Sequence, residues 1–335
     1  MPAGRLSPPP PVLPHLRRAR AVAPLLAIAT SACLAGPATA IGGGPIGRAP
    51  NLREAELLPV PDSTRGVGFI LSSNRRDLLE ETRVELNAGA RAFERIFGSR
   101  PDEADVRLAS DQREVRVTLR VGRRQVAPFT VSLQRDDRGR PRIPESMHIA
   151  SAVVLATARE WLTTLVHDLV PSDTSSAGWM QRDGVPVWLR LGLLQGAAVS
   201  PVHDRWLVQL ARERDSLPTV AALMRPDSCD AECLAPFTRA GDAAPGSADV
   251  PLTSRRGRLP ALDGRVRYAA STYSLVQFIA KREGPEYMRA LVTTALTGGD
   301  FTAALGAARS FTADPGNVDR QWRVWLAPFA FPEGQ

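Results

Sequence analysis

The chain has 335 residues, 44% hydrophobic and 23% charged, which is typical of a globular protein with one large core or two modest ones. The formal charge is +7, but four arginines lie in the first forty residues, which contain no acid, so the rest carries 38 basic against 35 acidic residues, or +3. Those charges alternate in sign, as in Arg53-Glu54, which excludes the basic surface of a nucleic-acid-binding protein.

Residues 1–40 have the pattern of a signal peptide. Basic residues up to Arg20 precede an apolar run at 21–29, and residues 38–40 read Ala-Thr-Ala, the small residues of a cleavage site. Residues 30–33 read Thr-Ser-Ala-Cys, so an alternative is a lipoprotein anchored through an acylated Cys33. Either interpretation predicts an exported protein, periplasmic or extracellular, and no later stretch is predicted to cross a membrane.

The exported part contains two cysteines, Cys229 and Cys233. In an oxidising compartment, a pair this close predicts a small disulfide-closed loop. A metal site would require two further ligands, and two free thiols are the remaining alternative.

The N-terminal half predicts a helix followed by a small sheet. Residues 41–65 are rich in Gly, Pro and charge and predict a flexible lead-in, and 66–73 alternate weakly as a first strand. Apolar residues at helical spacing predict a helix over 75–97, which ends at Gly98. Three further strands are predicted at 104–109, 115–121 and 126–133, so that residues 66–146 form a helix and a small antiparallel or mixed sheet.

The C-terminal half is predicted to be mainly helical over 147–327, before a tail at 328–335. A long helix spans 147–169, with a second stripe of side chains at Arg159, Glu160, Thr163 and His167 beside its apolar face. A further helix begins near Pro186 and breaks at 200–201. Gly192 and Gly196 give this helix a smooth face for a close neighbour. Residues 225–266 are predicted to be a long loop, followed by helices at 268–282, 287–296, 301–308 and around Trp322.

Two motifs stand at the centre of this order of elements. Residues 159–163 read Arg-Glu-Trp-Leu-Thr, and residues 186–193 read Pro-Val-Trp-Leu-Arg-Leu-Gly-Leu. Over roughly residues 66–327 the chain resembles the peptidase-MA-like zinc metallopeptidases, the gluzincins. In that family the long helix carries His-Glu-x-x-His and the next helix reads approximately Pro-x-Trp-Leu-x-Glu-Gly-Leu-Ala. The resemblance therefore implies an α+β, zincin-like fold.

The resemblance also assigns positions to a vestigial site. The two zinc-binding histidines fall on Arg159 and Thr163, the ligand glutamate falls on Leu191, and the general base falls on Glu160. Trp188 and Gly192 are among the residues of the second motif that match. Arginine and leucine cannot bind zinc, and threonine binds it poorly. The resemblance thus implies a metal-free pseudopeptidase without a cofactor, whose groove binds a peptide or an envelope protein.

Three alternatives remain open at this point. The protein could be an active hydrolase with zinc on His167, His203 and an acid, although the histidines are expected at the surface. It could be a lipoprotein that supports an envelope assembly. A serine hydrolase is disfavoured, because the sequence contains no Gly-x-Ser-x-Gly motif. Glu160 is expected to form an ion pair with Arg159 or Arg190, and Trp161 and Trp188 are expected to be core residues.

Overall fold

The protein has an α+β architecture, as predicted. The computed structural model describes residues 62–111, 114–132, 145–171, 185–225, 228–229, 262, 264–299, 304–305 and 315–331. A mixed six-stranded sheet and several helices share one hydrophobic core in this part of the chain. The predicted signal peptide, Cys33 and Cys233, and most of the predicted loop at 225–266 lie outside the described residues.

The sheet is mixed because one of its strand pairs is parallel. Its strands are β1 (Asp62–Gly66), β2 (Phe69–Ser73), β3 (Ala104–Ser110), β4 (Glu114–Val121), β5 (Arg124–Gln125) and β6 (Phe129–Ser132). The strand order is β1-β2-β3-β4-β5, with β6 also paired to β4. Among the described strands only the β2–β3 pair is parallel, and the helix between these two strands makes the crossover that a parallel pair requires.

Two predicted strands differ from those observed. The predicted strand at 66–73 is a hairpin, in which Gly68, with φ +73°, occupies a two-residue turn between β1 and β2. The predicted lead-in at 41–65 therefore ends as strand, since β1 begins at Asp62. The last predicted strand begins at Phe129 rather than at 126, because Pro128 has no backbone N–H to offer to β4.

The helices confirm most of the predicted boundaries. They are α1 (Arg76–Phe97), α2 (Glu145–Leu169), α3 (Val187–Ala197), α4 (Pro201–Arg212), α5 (Val220–Leu223), α6 (Gly264–Glu283), α7 (Pro285–Leu296) and α8 (Pro315–Leu326). Helix α1 ends as predicted at Gly98, whose φ of +69° suits glycine and whose N–H donates to the carbonyl of Glu94.

Helix α2 lies at the centre of the fold and is buried on most sides. It begins at Glu145, so the predicted domain boundary at 146/147 falls inside a helix. Arg75, before α1, pairs with Glu145, and Gly89 in the middle of α1 faces Val154 and Trp161 of α2. The beginning of α1 thus lies beside the beginning of α2, and the middle of α1 lies beside the middle of α2. The two helices therefore pack side by side and run in the same direction.

Helix α2 also has the length and hydropathy of a membrane span, which the sequence analysis overlooked. It has 25 residues, and 83% of its most apolar window is buried inside the fold. A core helix passes the same test of length and composition, and the predicted absence of a membrane span stays a prediction.

Helix α3 packs tightly on α6 through its two glycines, as predicted. A Cβ on Gly192 would lie 2.6 Å from the carbonyl oxygen of Thr272, and one on Gly196 would lie 3.2 Å from Nε2 of Gln277. The break at 200–201 is confirmed, because α3 ends at Ala197 and Pro201 opens α4.

The C-terminal elements require two corrections. The predicted loop at 225–266 is too long, because α6 already begins at Gly264. The predicted tail at 328–335 is too long as well, since Ala327–Ala330 forms a 3₁₀ helix and Ala330 is buried. Trp322 and Leu326 of α8 are fully buried, and Trp325 is partly buried against the core, so this helix is anchored in the core.

Candidate functional site

The first half of the predicted site lies on the middle of α2. Glu160 is largely covered, with a side chain 14% exposed, and Thr163 is buried. The hydroxyl of Thr163 donates to the backbone carbonyl of Arg159 at 2.8 Å. This hydrogen bond within one helical turn is common for threonine and commits the only proton of the hydroxyl.

The carboxylate of Glu160 pairs with an arginine from the sheet. Oε2 of Glu160 lies 3.5 Å from Nε of Arg124, which belongs to the tight hairpin between β4 and β5. The expectation that Arg159 or Arg190 would be the partner is wrong, because helix α2 packs beneath the sheet and the hairpin brings Arg124 over it. Glu160, which occupies the general-base position of the family, therefore links α2 to the sheet.

The second half of the predicted site, on α3, is part of the core. Leu191 is 0% exposed, Trp188 is buried, and Gly192 faces α6. Trp161 of α2 is buried too, and its indole N–H donates to the carbonyl of Asp102 at 3.0 Å. Both tryptophans are therefore core residues, as expected. Helices α2 and α3 contact each other. The resemblance predicts that Arg159, Thr163 and Leu191 converge on one small volume, and this stays a prediction.

These residues do not fit a zinc ion. Arg159 is cationic, Leu191 is an aliphatic side chain enclosed in the core, and the Thr163 hydroxyl already donates to a carbonyl. Across the described ranges, no three His, Cys, Asp or Glu side chains form a group that could hold a metal ion.

The histidines correct a further expectation. His167 is exposed, but His148 is buried and His203 is 0% exposed, so two of the three histidines after residue 40 are not surface residues. His203 closes the first turn of α4: its Nδ1 accepts the backbone N–H of Ser200 at 3.0 Å, and its Nε2 lies 3.0 Å from Oε1 of Gln195. Because Nδ1 is the acceptor, Nε2 carries the proton and donates it to Gln195.

Burial keeps His203 neutral. Desolvation lowers its pKa from 6.5 to about 3, against a smaller opposing effect of the Ser200 N–H bond. Its ring also packs at 4.6 Å from that of Tyr273 and at 4.7 Å from that of Trp206. With both ring nitrogens hydrogen-bonded inside the protein, His203 cannot share a zinc ion with the exposed His167, and that alternative site is wrong.

Ser200 and His203 resemble a nucleophile and its base only in distance. Oγ of Ser200 lies 3.2 Å from Nδ1 of His203, yet both residues are buried and the lone pair of Nδ1 receives the Ser200 backbone N–H. A histidine with so low a pKa is a weak base at neutral pH. The pair is a helix cap that stabilises the α3–α4 corner.

Sequence reasoning missed a cavity beside α6 that both charged and apolar side chains line. Its volume is about 430 Å³, and it is lined by Pro218, Ala222, Leu223, Arg225, Ser228, Gly264, Arg267 and Tyr268. These residues lie in the predicted loop at 225–266, next to it at the start of the following helix, or at 218–223, where no element was predicted, so no periodic pattern marks a site. The available signal was the pair of arginines at 225 and 267, on either side of the long predicted loop.

Sequence reasoning also missed a buried acid on α1. Glu85 is 2% exposed, and its Oε2 has no hydrogen-bond partner among the described residues. Desolvation, with a smaller effect of the Glu81 charge, raises its pKa from 4.5 to about 8. A helical projection would have found it, because Glu85 lies one turn before Gly89, on the face that packs against α2.

Cys229 is buried, and its predicted partner Cys233 lies outside the described residues, so the pairing stays a prediction.

Comparison of the chain with known proteins identifies no relative. No protein-family model, no curated protein and no solved structure matches the chain.

Proposed function

We propose that this chain is an exported, metal-free pseudopeptidase with a zincin-like fold, which acts by binding a peptide or an envelope protein rather than by catalysis. The order of elements supports this proposal: a helix and a small sheet precede the long α2, and α3 with its Pro-x-Trp-Leu motif follows it. This is the order of the peptidase-MA-like zinc peptidases that the sequence resembles.

The observation that carries the proposal is the ion pair between Glu160 and Arg124. A general base must reach a water or a substrate proton, ideally with a metal that activates the water. The carboxylate of Glu160 instead pairs with the guanidinium of Arg124. At the three metal-ligand positions stand the cationic Arg159, the Thr163 hydroxyl, which already donates a hydrogen bond, and the buried Leu191. This chemistry favours a structural role for the former site.

The test is elemental analysis and a peptidase assay of the chain from residue 41 onwards, purified without chelators. We expect substoichiometric zinc and no hydrolysis of a casein or peptide-library substrate. Zinc at one equivalent, or hydrolysis that Glu160→Gln abolishes, would overturn the proposal. Glu80→Gln, which neutralises an exposed acid on α1, is the matched control.

For the binding role, we propose that an extended peptide adds to the sheet beside β1. This strand is terminal in the order of the described strands, and its residues are exposed or half-buried. Main-chain hydrogen bonds to such an edge are a common mode of peptide recognition. Gly66 and Phe69 flank a two-residue turn and form a hydrogen-bonded pair. Because hydrogen-bonded and non-hydrogen-bonded pairs alternate along an antiparallel ladder, the N–H groups of Ser63 and Arg65 point away from β2, towards the open edge.

A proline substitution tests this mode. Ser63→Pro removes an N–H from the open side of β1 and leaves the hydrogen bonds to β2 in place. We expect peptides selected from a display library on the wild-type protein to lose binding to Ser63→Pro and to keep binding to Ser63→Ala. Equal binding by both variants would contradict recognition at this edge.

A further inference from the structure

We infer that the cavity beside α6 binds an organic oxyanion, a carboxylate or a phosphate carried on a short apolar body. The cavity, of about 430 Å³, is within the usual size range of small-ligand sites. It is distinct from the vestigial peptidase site, and the inference does not depend on the function proposed above.

The charge of the cavity is the first argument. Arg225 and Arg267 line it, and guanidinium groups bind carboxylates and phosphates through paired hydrogen bonds. Burial raises the pKa of the Tyr268 phenol in the cavity wall, and the hydrogen bond with Ser228 and the charge of Arg190 on α3 oppose that rise. The two arginines of the lining therefore favour an anionic ligand.

Helix α6 adds to this positive field. Its first residue, Gly264, lines the cavity, and the helix continues for 20 residues to Glu283. The amino-terminal end of a helix carries a partial positive charge and attracts anions. The two lining arginines and the helix end therefore both favour an anion.

The guanidinium of Arg267 is oriented before any ligand arrives. One of its nitrogens, Nη2, lies 2.6 Å from Oε2 of Glu213, whose other oxygen accepts a hydrogen bond from Nε2 of Gln209 at 3.3 Å. A guanidinium has five N–H donors, so one pairing with Glu213 leaves donors for a second anion. This orientation reduces the entropy cost of ligand binding.

The remaining wall is apolar and rigid. Pro218, Ala222 and Leu223 supply its apolar part. The hydroxyl of Tyr268 donates to the carbonyl of Leu223 at 3.2 Å and lies 2.9 Å from Oγ of Ser228, so these hydroxyls connect the wall. The apolar surface is why we infer an organic anion rather than an inorganic one.

Helix α8 fixes the other side of the cavity. Nη2 of Arg323 donates to the carbonyl of Leu217 at 3.0 Å, and Oδ1 of Asp319 accepts the N–H of Val220 at 3.0 Å. Pro218 lies between these two anchored residues. The cavity is therefore held by α4, α5, α6 and α8 together.

The experiment is calorimetric titration of the exported chain with hexanoate, hexyl phosphate and hexanol. We expect saturable binding of at least one of the two anions and none of hexanol. Arg267→Met should weaken that binding about tenfold or more, since it removes a charged hydrogen-bond donor. Arg282→Met makes the same change at the exposed far end of α6 and should bind like the wild type.

A second variant keeps the test independent of the Arg267–Glu213 pair. Gly264 lines the cavity and a Cβ on it would meet no atom within 4 Å, so Gly264→Trp should fold normally and place a bulky indole at the edge of the cavity. We expect it to abolish binding, and Gly264→Ala to retain it. Binding of neither anion, binding of hexanol as tight as that of hexanoate, or wild-type affinity in Gly264→Trp would overturn the inference. Preference for hexanoate or for hexyl phosphate identifies the head group. A zinc-loaded protein would refute the pseudopeptidase proposal and leave this result untouched.

Discussion

Replacing Glu85 with glutamine should remove a pH dependence from the stability of the protein. The carboxyl of Glu85 is 2% exposed on the face of α1 that packs against α2, and its pKa is raised from 4.5 to about 8. The folded protein therefore keeps this carboxyl protonated at neutral pH. In the unfolded chain the pKa of Glu85 has its ordinary value of 4.5, so the carboxyl releases its proton at neutral pH.

The sign and size of the effect follow from this difference. Between pH 4.5 and about 8 the folded state binds one proton more than the unfolded state, so the free energy of unfolding falls as pH rises. The contribution is fully present below pH 4.5 and is lost by about pH 8. At about 1.36 kcal/mol per pH unit, a shift of this size corresponds to about 5 kcal/mol across the whole interval. Glutamine fills a similar volume and does not titrate.

The assay is urea unfolding followed by tryptophan fluorescence, at several values between about pH 5 and about pH 8. We expect the free energy of unfolding of Glu85→Gln, relative to wild type, to increase by about 4 kcal/mol over this range. Glu80→Gln, at a position exposed to solvent on the same helix, should show no such trend. A difference between Glu85→Gln and wild type that stays constant with pH would refute the reasoning, because it would mean that Glu85 is ionised in the folded protein.

Other substitutions test the packing and the buried polar contacts. Gly192→Ala should destabilise the protein by about 1–3 kcal/mol in thermal denaturation, since the added methyl would lie 2.6 Å from the Thr272 carbonyl oxygen; an unchanged melting temperature would contradict this close contact. Arg323→Ala should cost about 2 kcal/mol in urea unfolding, because it removes a charged donor from the α4–α5 connection, whereas the exposed Arg320→Ala should cost little. The pKa of His203 is lowered from 6.5 to about 3, so the stability that it contributes is present above pH 6.5 and is lost as pH falls towards 3. His203→Gln should flatten this acid limb of a pH–stability curve, and an unaltered slope would argue against a neutral buried histidine.

Local signals in the sequence were sufficient for most helices. The end of α1 at Gly98, the break before Pro201 and the end of α6 before Gly284-Pro285 each follow from a residue whose own backbone preferences stop or start a helix. The close approach at Gly192 was predictable for the same reason, because only glycine leaves room for a neighbouring backbone.

Strand pairing was not predictable in this way. The alternation at 66–73 indicated extended structure but could not separate β1 from β2, nor show that β2 pairs in parallel with β3 across the whole of α1. A strand's pattern of apolar residues indicates which face is buried, and it contains no information about which partner lies beside it.

The candidate sites depended still more on residues far apart in the chain. The sequence by itself determined that Arg159, Thr163 and Leu191 are unsuited to zinc, because that follows from the chemistry of each side chain. Only the tertiary structure decided that Glu160 meets Arg124, that His203 is enclosed with both nitrogens bonded, and that Arg225 and Arg267 line one cavity. The physical reason is that burial and ion pairing arise from contacts between distant segments, whereas the identity of a side chain and the turn that it favours are local.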